Sequence, residues 1–252
     1  MEQLNNIIEY LHSTSFPGKC KKTNVKVDDV EYLLKYSETE TERINLCSEK
    51  FGISLCDQLH LKTSSVKLVL LDDQICLLSK RWDIGEKEQY FPLASFYEEL
   101  LDVMEYVPFT YSLFKKIIIK KSPNNYDNIL YTFWGLFIVD YLICNHRSAG
   151  NIGFIHDGHI SLSPIFDCST ALETIYDERY MDMSFPQLLM SFDSDIQSGY
   201  NVLVTLKDKH KDVMIKRAEK LFRLESLGSA SCPEEEFIKR VISFRYSKLF
   251  TK

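Results

Sequence analysis

The chain has 252 residues, 45% of them apolar, and a formal net charge of −6. That length supports one large domain or two packed lobes around a real core, and the apolar share excludes wholesale disorder. An acidic balance argues against a broad basic surface for nucleic acid, while leaving room for a local basic patch.

The seven cysteines, Cys20, Cys47, Cys56, Cys76, Cys144, Cys168 and Cys232, are odd in number and contain no C-x-x-C pair. Most sit in apolar runs, as free thiols of a reducing compartment do. The opening MEQLNNIIEYLHS carries acidic residues and no long apolar core, unlike a signal peptide. The most apolar run, 129–144, is shorter than the ~20 residues a bilayer requires and contains Asp140. It predicts a core helix, and no membrane partner is expected.

In chain order, residues 1–13 predict a short amphipathic helix with Leu4, Ile7, Ile8 and Leu11 on one face. Ser15-Phe16-Pro17-Gly18 breaks it. Val25, Val27, Val30, Tyr32 and Leu34 alternate around Asp28-Asp29, which predicts a β-hairpin. The stretch 37–45, SETETERIN, reads as a polar loop, and 47–60 return to helical spacing with Phe51, Leu55, Cys56 and Leu59 on one face. SVKLVLL and QICLLSKRW then form a second hairpin around Asp72-Asp73.

After Trp82 a polar connector, DIGEKEQYF, leads into helical text at 95–107 and at YSLFKKIIIKK, the latter ambiguous between helix and strand. Asn124-Asn125 stand where they would cap a long helix over 126–145. Two short strands, NIGFI and HISLS, straddle the turn from His156 to His159. From about 171 the chain reads mostly helical. It closes in EEEFIKRVISFRYSKLF, with Ser231-Cys232-Pro233 as cap and first turn. The fold class expected is α+β: an antiparallel sheet with one helix over 1–82, then a mainly α-helical unit over 83–252. Ligands favour the cleft between two such lobes.

Three features of that cleft carry chemistry. Lys35, in YLLKY, ends a strand among apolar neighbours, and an inward ammonium needs an anionic partner. Glu49 and a nucleotide phosphate would both serve; an exposed hairpin-edge lysine is the plainer alternative. Pro17-Gly18-Lys19-Cys20-Lys21-Lys22 could cover phosphates with backbone N–H groups and ammonium charge, although it is not a Walker A loop. Asn151 and Asp167 flank the two strands of one hairpin at the same end. An amide oxygen and a carboxylate suit magnesium; a turn cap and a helix cap are the alternative. His156 and His159 read as exposed turn residues.

Taken in order, the Gly-Lys loop, YLLK, the Ser48-Glu49 helix, the second hairpin, Asn145…Asn151-Ile-Gly-Phe and Ser-Pro-Ile-Phe-Asp167-Cys resemble the HipA-type serine/threonine kinases. The resemblance is to their short forms without an extra N-terminal subdomain, and it covers roughly 15–250. It implies a bilobal protein-kinase-like fold using ATP and Mg²⁺. Lys35 would hold the α/β-phosphates, Glu49 would orient Lys35, and the hinge from Ser79 and Lys80 to Trp82 would read adenine. Gly18 and Lys19 would cover the phosphates, and Asn151 and Asp167 would bind the metal. It further implies a protein substrate, an antitoxin-like or regulatory partner, and a cytoplasmic location or delivery into a host cell.

The chain departs from that family at one place. The family pattern Asn-x-Asp-(Arg/Asp)-His-x-x-Asn is here Asn145-His146-Arg147-Ser148-Ala149-Gly150-Asn151, one residue shorter. Five back from Asn151 lands on His146 and two on from Asn145 lands on Arg147, so the expected catalytic carboxylate is missing. His146 could act as base instead, and Asp140 is expected to brace the loop. Two readings stay open: a kinase with a non-standard catalytic loop, or a pseudokinase acting as a nucleotide-binding regulatory module.

Overall fold

A computed structural model describes residues 2–3, 8–11, 20–82, 89–93, 110–147, 149–156, 159–170 and 199–251. Its main sheet is built on two Asp-Asp turns. Asp28 and Asp29 have φ of 48° and 63°, and Asp72 and Asp73 have 49° and 62°. Two successive left-handed residues make the tight hairpin turn whose twist matches the strands, and Asp adopts that region more readily than most residues. The turns join β3 (Lys22–Val27) to β4 (Val30–Tyr36) and β5 (Val66–Leu71) to β6 (Gln74–Lys80), as the alternation predicts.

The expected helix over 1–13 is replaced by two short strands, β1 (Glu2–Gln3) and β2 (Glu9–Tyr10). The sheet order is β1-β5-β6-β4-β3-β2, with β1 parallel to β5 and the other pairs antiparallel. Both hairpins present an open edge, and unpaired edge N–H and C=O groups recruit strand partners. That demand outweighs a weak helical period.

Residues of the sheet alternate between two environments. Val25, Leu34, Val69, Cys76 and Leu78 cluster on one face. Leu68 and Leu77 join the main core on the other, where α1 (Glu40–Gln58) packs. The helix begins seven residues before the sequence reading places it. Thr39 and Glu42 form a reciprocal capping box, Thr39 accepting from the Glu42 N–H and Glu42 from the Thr39 N–H. That T-x-x-E spacing is the signal hidden in SETETERIN.

A second sheet, β7-β8-β9, comprises Gln89–Pro92, Gly153–His156 and Ile160–Leu162. β7 lies at the end of the stretch read as a connector. Around the sheets lie α2 (Tyr111–Lys121), α3 (Tyr126–Leu142), α4 (Gly199–Thr205), α5 (Lys209–Leu221) and α6 (Glu235–Phe250). The ambiguous YSLFKKIIIKK is helix: Thr110 caps it, and Ile118 is buried while Ile119 is exposed. α3 is apolar on every side and sits at the centre, packed by α1, α2, α4, α5 and α6. Its expected cap Asn125 instead sends its side-chain amide to the Ile160 carbonyl, 3.1 Å away. At α6 the start falls about one turn later than expected. The Glu235 carboxylate accepts from the Ala230 and Ser231 N–H groups and the Ser229 hydroxyl. The expected helix at 95–107 and the text at 171–198 lie outside the described residues. All seven cysteines are free and buried, and no helix among the described residues is long and apolar enough to cross a membrane.

Candidate active site

Lys35 projects from β4 onto the face that α1 covers. It is 5% exposed and Glu49, in α1, is 1% exposed. Lys35 Nζ donates to Glu49 Oε1 at 2.9 Å and Oε2 at 2.6 Å, and to Asp167 Oδ1 at 2.8 Å. The edge-lysine alternative is thereby removed. Burial works against the Lys35 charge, but Glu49 and then Asp167 outweigh it and hold the ammonium above its ordinary pKa. Burial likewise raises the Asp167 carboxyl, yet Lys35 prevails and brings it down to about 2. Lys22, opposite Lys35 in the β3–β4 ladder, adds to the positive field on Asp167.

Asp167 has φ of 53°, a left-handed conformation that turns its carboxylate back toward the sheet. Its second oxygen, Oδ2, accepts from Asn151 Nδ2 at 2.5 Å. Asn151 ends a single 3-10 turn, Ala149–Asn151, just before β8. The hairpin β8–β9 thus brings both residues to one end, where the spacing places them.

Beneath them lies a buried ion pair. Arg147 Nε donates to Asp140 Oδ2 at 2.7 Å and Nη2 to Asp140 Oδ1 at 2.9 Å, with both side chains at most 1% exposed. Arg147 Nη1 reaches two carbonyls, Asn151 at 3.2 Å and Phe166 at 2.9 Å, and Nη2 also meets Cys168 Sγ at 3.2 Å. Asn145 Nδ2 completes Asp140 at 2.8 Å. Asp140 braces the loop, as expected. Its partner Arg147 had no assigned role, although a signal was present. A carboxylate inside a helix as apolar as α3 needs a cation, and Arg147 is the first basic residue after it other than histidine.

Close packing of α1 on the 167–170 segment sets the distance between Glu49 and Asp167. A Cβ on Gly52 would lie 2.7 Å from Cys168 Cβ and 3.2 Å from the Cys168 carbonyl, so only glycine fits. One turn earlier the Ser48 hydroxyl accepts the Thr170 N–H at 2.8 Å. On the other side, Ser64 N–H donates to the Ile165 carbonyl at 2.8 Å, which ties the segment to the approach of β5.

A cleft of about 270 Å³ opens beside this cluster. Leu33 and Asn24 of the sheet line it, with Ser64, Ser79, Trp82, Tyr90 and Phe166, the residue before Asp167. Leu33 lies two residues before Lys35 and shares its face; Ser79 is opposite Leu33 in the ladder. Ser79 is buried, its hydroxyl 3.2 Å from that of Ser64. The Lys80 side chain is exposed and lines the rim, while its N–H goes to the Ser65 carbonyl and its own carbonyl accepts the Ser64 hydroxyl. The Arg81 N–H goes to Glu31. These bonds commit the N–H groups of 80 and 81 to the chain itself, so base reading by backbone would fall to Arg81 C=O and Trp82.

Lys35, Glu49, Asn151 and Asp167 therefore converge, with Ser79 and Lys80 on the adjoining cleft. His146 is exposed, and no bond among the described residues joins it to the cluster. Gly18, Lys19 and Ser148 lie outside the described residues.

The donor set can be tested against a metal–nucleotide. Lys35, Glu49 and Asp167 together carry one net negative charge, so a triphosphate would bind more weakly without a cation than with one. Asn151 and Asp167 offer an amide and a carboxylate oxygen, hard ligands of the kind magnesium takes alongside phosphate and water. Among the described residues no group of three or more His, Cys, Asp or Glu side chains could hold a metal by itself. The residues fit an ion that comes with its nucleotide.

The fold defined by this sheet, α1 and the central helix is that of the Helicobacter pylori proinflammatory kinase CtkA. The two share 18% identity at a TM-score of 0.80, over 97% of this chain and 94% of that one. A chain of the Shewanella oneidensis MR-1 toxin–antitoxin complex of HipA, HipB and operator DNA matches at 12% identity and a TM-score of 0.57. That match takes in 94% of this chain and 64% of the other. Comparison with curated proteins gives no match. The family model HipA-like C-terminal domain matches residues 14–224, and the chain belongs to that family.

Proposed function

We propose that the chain is an ATP- and Mg²⁺-dependent protein serine/threonine kinase of HipA type with a non-standard catalytic loop. Membership of a HipA-like family and the likeness to a kinase fold support the class. The observation that carries the reading is Lys35, bonded at once to Glu49 and Asp167, two residues along its strand from the Leu33 that lines a cleft. In this account residues 1–82 and 83–252 are two lobes that meet at the cleft. Lys35 would hold nucleotide phosphates, with Glu49 fixing its position and the loop of Gly18 and Lys19 lying over them. Asn151 and Asp167 would hold magnesium. The base would enter between Leu33 and Phe166, beside Ser79 and Lys80. When bound, the metal and nucleotide supply the phosphoryl group and neutralise its charge.

The chain's own contribution is positioning and charge, which is most of what phosphoryl transfer asks of a protein. His146, exposed beside Asn145 and Arg147, would take the substrate hydroxyl proton, imidazole being the commonest general base. The acceptor is a serine or threonine of a protein. An antitoxin-like or regulatory protein is a candidate partner, and the setting is the cytoplasm or a host cell.

One observation favours a second reading, a pseudokinase. The segment 140–151 contains a single carboxylate, Asp140, and Arg147 locks it away from any substrate. Two measurements separate the readings. A ligand at ~100 times its Kd adds ~2.7 kcal/mol. For a domain of this size that raises Tm by ~5–11 °C. ATP with Mg²⁺ should produce such a shift, and labelled ATP should transfer its γ-phosphate to the chain or to a protein acceptor. A shift without transfer selects the pseudokinase; no shift removes both.

A further inference from the structure

We infer that Arg147 is a positioning residue that sets the spacing of the two magnesium-ligand loops. The inference rests on the metal assignment proposed above. Asn151 and Asp167 belong to separate stretches, one following α3 and the other following β9. Their direct link is the Asn151 Nδ2 to Asp167 Oδ2 hydrogen bond. When the Asn151 amide turns to offer its oxygen to a cation, its N–H leaves Asp167 Oδ2 and that link is lost. Something else must then hold the loops in register.

Arg147 has the geometry to do so. One Nη1 donates to the Asn151 carbonyl and to the Phe166 carbonyl, the backbone groups at and just before the two ligands. Its remaining donors are fixed on Cys168 Sγ and on Asp140, itself anchored in α3 and by Asn145. These bonds touch no side-chain oxygen of either ligand, so they persist whichever way the Asn151 amide faces. A planar fork with donors in fixed directions can make all of them together; an ammonium cannot. The pair is fully buried, so Arg147 is neither a base nor a phosphate ligand.

The test separates metal affinity from nucleotide affinity. The chain is titrated with Mg²⁺ at fixed ATP, and separately with ATP in EDTA, following thermal stability. Arg147→Lys keeps the charge and loses the fork. Asp140→Leu/Arg147→Met removes both charges, so the core stays neutral if the lysine variant fails to fold. In either variant the Mg²⁺ concentration for half-maximal shift should rise at least tenfold, while the metal-free ATP midpoint stays within about twofold. An unchanged Mg²⁺ midpoint in a folded variant would overturn the tether, as would equal weakening of both midpoints, the mark of a merely structural role. A wild-type chain that shifts with ATP but shows no Mg²⁺ dependence would remove the metal assignment, and the tether with it. Loss confined to the variants implicates the Arg147 tether and leaves the metal assignment standing.

Discussion

Replacing Lys35 with methionine tests the ion cluster by stability, with no ligand involved. Methionine keeps much of the length and removes the ammonium, which leaves Glu49 as a carboxylate at 1% exposure facing Asp167. Breaking a buried pair from one side costs about 3–5 kcal/mol. At ~2–4 °C for each kcal/mol in a domain of this size, Tm should fall by about 6–20 °C. The loss should depend on pH in a definite direction. Burial already pushes the Glu49 carboxyl up and Lys35 opposes it, so in the variant burial acts unopposed by Lys35. An acid whose folded pKa exceeds its unfolded one takes up its proton in the folded state first. Its penalty therefore grows as pH rises through that window and fades below it. The gap between wild type and variant should be smaller at about pH 5 than at about pH 8. Adding Glu49→Gln should restore part of the stability and remove the pH dependence. A loss under ~1 kcal/mol, the same at both pH values, would refute the reasoning.

Four further outcomes follow from the same geometry. Asp167, held at about 2 against an ordinary 3.8, contributes stability that is complete above about pH 4 and lost as pH falls toward 2. That lowering is worth roughly 2 kcal/mol, so Asp167→Asn should flatten the acid limb of a urea-denaturation profile. Asp167→Ala should also abolish the Mg²⁺-dependent part of the ATP shift, and an unchanged shift would end the metal assignment. Gly52→Ala should cost about 1–3 kcal/mol in chemical denaturation, because its methyl would meet Cys168 at 2.7 Å and push α1 off the Asp167 segment. His146→Ala should lower the phosphoryl-transfer rate more than it weakens ATP binding; equal rates would remove His146 as base.

Much of this was legible in the chain because local chemistry and tertiary demand agree. The Asp-Asp turns, the alternation of Val25 to Leu34 and the apolar run of α3 each have one stable solution. The cluster was legible because Lys35 sits among apolar neighbours and needs an anion, and because Asn151 and Asp167 bracket a hairpin. The missing parts depend on distant partners. β1 and β2 exist because β5 and β3 offer open edges, and β7 exists because β8 does, where its Tyr90 ring occupies the space that Gly153 leaves free. The start of α1 was overlooked because Thr39 and Glu42 look polar rather than capping. The Arg147 fork was hidden because its acceptors are backbone carbonyls, which any sequence supplies.

The most direct measurement is a crystal structure with Mg²⁺ and a non-hydrolysable ATP analogue. The account predicts triphosphate oxygens on Lys35, the ion on oxygens of Asn151 and Asp167, and the base in the cleft between Leu33 and Phe166. A nucleotide bound elsewhere, with Asp167 still paired to Lys35 and Asn151 and no ion between them, would contradict it.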